Sequence, residues 1–184
     1  MIFHHKKNDF LNNAEIICFS RTPNEPLMWS HYADKHHGVC YCFDELELTT
    51  FDGLTAHFGD VIYSSHLPEI NYREGNTTLE DWNRELFRVL MTKSLNWVYE
   101  KEVRVIRKKN VGNTFRTQSL KAIIIGHNAS IWNKTKILEL IAQANESRDQ
   151  KIEIYYACLS TRSFEIFIND KRSSIVAENS VGIG

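Results

Sequence analysis

Proline and glycine are scarce in this sequence of 184 residues, which has 3 prolines and 8 glycines. Long flexible linkers find no support, and no repeat or low-complexity segment interrupts the chain, so one domain is expected over residues 1–170. The polar stretch 171–184 reads as a flexible C-terminal tail. Cysteine is also sparse. Cys18, Cys40, Cys42 and Cys158 are mostly well separated and set in apolar stretches, with no Cys-x-x-Cys pair. That argues against a disulfide framework and against a zinc site, and for free thiols packed in strands in a reducing cytoplasm. No apolar run approaches the roughly 20 residues a membrane span needs. The N-terminus lacks the apolar core of a secretory signal. Both absences point to a cytoplasmic protein without a membrane partner. An excess of one charge is missing too. The formal net charge is −1, so a nucleic-acid partner is not supported without a local patch, and Arg104, Arg107, Lys108 and Lys109 make only a modest one. Glycine-rich phosphate loops and a Gly-x-Ser-x-Gly elbow are absent as well.

What remains is an ordinary globular composition, 42% hydrophobic and 24% charged. β-formers predict strands at 14–20, 39–43, 58–63, 102–107, 120–126, 151–159 and 164–168. Pro26 suits the first turn of a helix over 26–34. Thr77-Thr78-Leu79-Glu80 has the form of a capping box, Thr77 paired with Glu80. It opens a long helix expected to reach about Trp97, with Leu79, Trp82, Leu86, Val89, Leu90 and Trp97 on one face and Lys93 in the same stripe. A third, amphipathic helix covers 130–144. Strict βαβ alternation is absent. The expected fold is therefore α+β, a mixed or mostly antiparallel sheet with about three packed helices.

Two clusters carry the chemistry. On the helix from Pro26, Trp29 and Ala33 share one face and Met28 and Tyr32 the neighbouring one, with His31 one step from Tyr32. Trp29, Ser30, His31 and Tyr32 are then either core and surface residues of a structural helix, or aromatic plates, a hydroxyl and a proton-transfer group at a site. On a strand, Glu100, Glu102 and Arg104 point to one face. Like charges two residues apart repel, so at least one carboxylate needs a partner, and Arg104 and Lys93 are at hand. The cluster is either a structural ion-pair network or a carboxylate pair at a ligand pocket bounded by Trp97. No metal site is assigned, since the adjacent histidines His36-His37 and His4-His5 face different directions.

The strings Cys18-Phe19-Ser20, Leu27-Met28-Trp29-Ser30-His31-Tyr32-Ala33-Asp34, His37-Gly38-Val39, and Lys93 with Trp97-x-Tyr99-Glu100-Lys101-Glu102-x-Arg104 resemble the bacterial domain-of-unknown-function family 2971 (DUF2971). The similarity runs in order from about Ile16 to Gly126. The family's N-terminal Asn-Asp-Pro-Phe-like motif is met here by Asn8-Asp9-Phe10, without the proline. The resemblance identifies relatives and no reaction.

Three functions fit these residues. A Glu-x-Glu strand with His and Tyr elements on a small mixed sheet is similar in kind to ADP-ribosyltransferase sites. There Glu102 would be the central carboxylate, supported by Glu100, Tyr32 and His31, with Trp29, Ser30, Lys93, Trp97 and Arg104 binding the substrate, NAD. Alternatively, Glu100, Glu102 and Lys93 serve a metal-dependent hydrolase or nuclease. The third is a non-enzymatic module that binds a small molecule or nucleotide, in a phage-defence or toxin-type system.

Overall fold

The computed structural model describes residues 14–45, 57–70, 78–108 and 116–170. The pairs Asn8-Asp9 and His4-His5, Thr77, Lys109 and the tail 171–184 lie outside these residues. The architecture is α+β, with helices packed with mixed sheets. The chain groups into two compact units, 1–21 with 51–114, and 22–50 with 115–184.

The first unit holds β1 (Ala14–Ser20), β3 (His57–Asp60), β4 (Ile62–Ser64), α2 (Leu79–Leu90), β5 (Thr92–Ser94) and β6 (Glu102–Lys108). Strand β6 lies between β1 and β3, antiparallel to both. Strands β4 and β5 form a separate parallel pair, and the connection between them carries α2, as a parallel pair requires a crossover. The single strand expected over 58–63 is thus two, divided at the buried Val61, whose amide turns to the Glu102 carbonyl at 2.9 Å.

The helix α2 departs from expectation at both ends. Its capping box is one residue later than expected, Thr78 with Asp81, each side chain taking the other's backbone N–H at 3.1 Å. Its C-terminus is at Leu90, not near Trp97. Thr92, Lys93 and Ser94 instead pair with Ile62, Tyr63 and Ser64. The Thr92 hydroxyl returns to the Arg88 carbonyl at 2.7 Å. Strand pairing has overridden a helical periodicity that continued past the helix. Of the expected apolar stripe, Trp82 and Leu86 are buried and Val89 and Leu90 half-buried.

The second unit holds α1 (Pro26–Tyr32), β2 (Val39–Phe43), β7 (Leu120–Ile125), α3 (Ile131–Glu146), β8 (Glu153–Leu159) and β9 (Ile166–Asp170), with the sheet ordered β2-β7-β8-β9. The sheet is mixed, because β7 and β8 are parallel with α3 as their crossover while β2 and β9 are antiparallel additions. The core has two parts. One gathers Trp29, Ala33, Ile124, Ala157 and Ile166; the other gathers Ile123, Ile125, Ala129, Ile141 and Ile152. Consecutive isoleucines of β7 thus serve opposite faces, as strand alternation dictates for a strand covered on both.

Between α1 and β2 the chain makes an unusual turn. Asp34, Lys35 and His36 all have positive φ, at 46°, 51° and 70°. Each non-glycine residue there costs on the order of 1 kcal/mol, so the turn persists only because its surroundings hold it. The Gly38 amide donates to Ala33 at 2.8 Å, the Gly126 amide to Gly38 at 2.9 Å, and the Asn128 amide to His36 at 3.0 Å. A Cβ on Gly126 would sit 2.7 Å from the Gly38 carbonyl oxygen and closer still to that of His36. Gly126→Ala should therefore displace the turn and lower the unfolding free energy by about 2–3 kcal/mol; urea unfolding measures it, with Gly59→Ala, whose Cβ meets only the end of Met91, as the mild control.

Candidate functional site

The first unit brings five of the expected site residues together, Lys93, Trp97, Glu100, Glu102 and Arg104. Between α2 and β6 the chain runs through β5 and then a 3₁₀ turn, Leu95–Glu100. The Ser94 hydroxyl caps that turn by accepting the Asn96 amide at 3.4 Å, and Lys101 ends it in the left-handed conformation, at φ 44°. Strand β6 begins at the next residue. Glu100 and Glu102 are therefore not successive positions on one strand face, as expected. A turn ending in a left-handed residue delivers one carboxylate and the strand delivers the other, and both reach the same ammonium.

That ammonium is Lys93. Its Nζ contacts the Glu100 carboxylate and lies 2.8 Å from Glu102 Oε2. Arg104 approaches Glu102 from the other side, Nε to Oε1 at 2.6 Å and Nη2 to Oε2 at 3.2 Å, and donates through Nη1 to the Leu90 carbonyl at the end of α2. Two negative and two positive charges make the cluster neutral. The carboxylates are its buried part, with Glu100 3% and Glu102 4% exposed, while the Lys93 side chain is 22% exposed. Lys93 also lies 5.2 Å from the centre of the Trp97 ring, within range of a cation–π attraction. Trp97 is itself partly open to solvent and tilts against Tyr99 at 5.9 Å.

Three further groups complete the arrangement, and the candidate set drawn from the sequence contained none of them. The β1–β6 register sets Cys18 opposite Arg104 and Ser20 opposite Glu102. The Cys18 thiol donates to the Glu102 carboxylate, and the Ser20 hydroxyl donates to the Glu100 carbonyl at 2.7 Å. The Tyr63 hydroxyl accepts the Glu102 amide at 2.7 Å. Only cross-strand register identifies these three. Their local sequence carries no sign of it.

Burial alone would push the Glu102 carboxyl up. Hydrogen bonds from Arg104, Lys93 and Cys18 outweigh it and hold the pKa at about 2, below the ordinary 4.5. For Lys93 burial favours the neutral amine, but hydrogen bonds and charge from Glu100 and Glu102 prevail and keep it protonated. Burial first, then the hydrogen bond to Glu102 and its charge, raises the Cys18 thiol to about 11, so it stays a neutral donor.

The other expected residues belong to the second unit. Trp29 is buried in its core, with the ring N–H donating to the Pro23 carbonyl at 2.7 Å. Ala33, on the same face, is buried with it. His31 and Tyr32 are exposed, Tyr32 to 64%, with ring centres 6.2 Å apart. Ser30 Oγ lies 3.0 Å from both the Pro26 carbonyl and His36 Nε2. A hydroxyl has one proton. If it goes to Pro26, Nε2–H of His36 must donate to Ser30, which leaves the serine unactivated. His36 is held below its ordinary pKa by burial, then by His127 and His37. Its Nδ1 is buried and has no hydrogen-bond partner among the described residues, so the third member of a nucleophilic triad is missing. Among the described residues, no three His, Cys, Asp or Glu side chains are grouped to hold a metal ion, and no helix is long and apolar enough to cross a membrane.

The family described as a protein of unknown function (DUF2971) matches residues 28–105. Over these residues the chain is similar to the DUF2971 family. The match opens at Met28 of α1 and closes at Val105 of β6, so both clusters lie within it. No curated protein and no solved structure matches the chain.

Losing the ammonium leaves two buried carboxylates facing each other. Lys93→Met should lower stability at pH 7 by about 3 kcal/mol, the low end for breaking a buried pair because Lys93 is partly solvated. The acid limb is a second check. Glu102 has its pKa depressed by folding, so its contribution is complete above pH 4.5 and disappears as pH falls towards 2. Urea midpoints across pH 2–5 should fall steeply in the wild type and less steeply in Glu102→Gln.

Proposed function

We propose that the Lys93–Glu100–Glu102–Arg104 cluster, with Trp97 beside Lys93, is a nucleotide site that performs ADP-ribosyltransferase-like chemistry on NAD as substrate. The observation that carries this is a pair of buried carboxylates bridged by one part-exposed ammonium beside an open indole. A ligand entering from solvent meets Trp97 and Lys93 first. The ring can stack on a planar base or nicotinamide, and the ammonium can turn to a diphosphate. Once Lys93 turns, the carboxylates lose their counter-ion where a ribose hydroxyl can replace it. A carboxylate there orients the hydroxyl and stabilises the oxocarbenium that develops as the nicotinamide–ribose bond breaks. Glu102, held ionised and fixed by Arg104, is the central carboxylate, and Glu100 supports it.

A metal-dependent hydrolase or nuclease would place a divalent ion between Glu100 and Glu102. The Lys93 ammonium already holds that position, which favours the transferase. One observation favours a binding module without turnover: both Glu102 oxygens are already engaged, by Arg104 and Lys93.

The test is release of labelled nicotinamide from NAD. The wild type should release it in the presence of a chelator, and Glu102→Gln should lose on the order of 100-fold or more in rate while keeping a native circular dichroism spectrum. Trp97→Ala, at a more open position, should weaken NAD binding with less effect on the fold. Undiminished release by Glu102→Gln removes that residue from the chemistry. Loss of activity with chelator supports the metal reaction instead. An NAD-dependent thermal shift without product supports the binding module.

A further inference from the structure

We propose that the outer face of α3 is an interaction surface for a second copy of this chain, the two helices packing antiparallel about a two-fold axis. Within the second unit α3 packs inward through Ile137 and Ile141, which join the core around Ile123 and Ile125. Trp132 and Ile141 are about two and a half turns apart at 3.6 residues per turn, so they point to opposite sides of the helix. Trp132 is accordingly 74% exposed, and Ile131 and Leu140 are exposed on its flanks. A helix that covers a core on one side normally turns a polar face to water. Tryptophan is among the side chains most enriched as anchors of protein interfaces.

The pattern of that face selects the occupant. Trp132, Lys136, Glu139 and Gln143 are all exposed and follow one another at spacings of four, three and four residues, the spacing of a seam between two helices. Lys136 Nζ lies 3.3 Å from Glu139 Oε2 within the helix, and an ion pair this exposed contributes little where it stands. The order of cation and anion is self-complementary when two copies run antiparallel. Lys136 of one copy then faces Glu139 of the other, and Glu139 faces Lys136, so one two-fold axis makes two ion pairs. The same register sets Trp132 against the turn that holds Leu140 and Gln143 of the other copy, at both ends of the seam. Parallel copies would set Lys136 against Lys136 instead.

The helix ends agree with this arrangement. Glu146 is the last residue of α3, at the negative end of its own helix dipole, and no acidic residue lies in the first turn. Antiparallel packing brings each Glu146 to the positive end of the other helix. A lipid surface is a poorer fit, because Glu139 and Glu146 lie on this face, and helices that lie on membranes are rich in lysine and arginine. The association is weak. A helix of 16 residues is about 24 Å long and about 10 Å across, and a seam of that size is small against the roughly 1,200 Å² at the lower end of stable interfaces. The two copies therefore associate reversibly, with a Kd of roughly tens to hundreds of micromolar.

Sedimentation equilibrium of the full chain tests this, at about 10–500 μM protein, low salt and excess dithiothreitol, so that ion pairs are little screened and no intermolecular disulfide contributes. The wild type should pass from monomer to dimer with concentration. Trp132→Ala should remain monomeric with an unchanged circular dichroism spectrum. Lys136→Glu gives each helix two acids on the seam and Glu139→Lys two bases, so each variant alone should associate at least about tenfold more weakly. Mixing these two variants in equal amounts should restore the dimer, and so should the double exchange of Lys136→Glu with Glu139→Lys in one chain. A wild type that stays monomeric throughout overturns the proposal. A dimer that survives both Trp132→Ala and the single charge reversals forms through another surface and overturns it too, as do charge variants that stay apart when mixed. Monomers that sediment with phosphatidylserine vesicles through Trp132 would make the face a membrane surface and overturn it equally.

Discussion

One ammonium between two buried carboxylates holds the first unit together. Glu100 and Glu102 are almost entirely removed from water. Two ionised carboxylates at such depth would repel and pay most of their hydration. Lys93 resolves this only if it arrives from outside the strand that carries Glu102. It does so from β5, which exists as a strand because it pairs with β4. The short β4–β5 ladder, the early end of α2 and the left-handed Lys101 are thus parts of one solution. Each brings a charge to the same point. Arg104 extends that solution to the helix, since its guanidinium joins Glu102 to the carbonyl that ends α2.

The partners of Glu102 differ in what they can give up. Arg104 makes two contacts to the carboxylate and a third to a backbone carbonyl, so moving it would leave several groups unsatisfied. Cys18 is held neutral, and its weak donor bond adds little. Lys93 is the more solvated of the two cations, has a flexible stem, and can exchange its protein carboxylates for a ligand anion at the smaller desolvation cost. A network of this composition is stable when empty and has one labile charge. That asymmetry is what the proposed nucleotide site would use.

The fold class was legible because it rests on patterns that survive locally. Strand-forming runs, Pro26 at a helix start and a Thr-x-x-acid cap each act within a few residues, and α+β order follows from them. The end of α2 was not legible. Apolar periodicity continued through Lys93 to Trp97, and nothing local records that Thr92–Ser94 would find a partner at Ile62–Ser64. The division into two units was equally hidden. The chain passes between them three times, at about residues 21, 50 and 114, so neither unit is a continuous stretch whose composition could change at a boundary. At the site, the acidic pair and its cations were visible as charges that needed partners. The partners Ser20 and Tyr63 were not, because cross-strand neighbours are set by register.

The two family strings end in the same kind of backbone event. Met28–Tyr32 is followed by the left-handed Asp34, Lys35 and His36, and Trp97–Glu100 by the left-handed Lys101. Glycine would occupy any of these positions with less strain. A non-glycine residue there is held by what its neighbours require. At Lys101 the requirement is visible, because the reversal carries the chain from Glu100 into β6 with both acids on one lysine. At Asp34–His36 it is the seat of Gly126 and the Asn128 amide against the turn's carbonyls. What lies within residues 28–105 is therefore more than a set of polar side chains. It includes two strained reversals, one setting the charge cluster of the first unit and the other setting the junction between α1 and the sheet of the second.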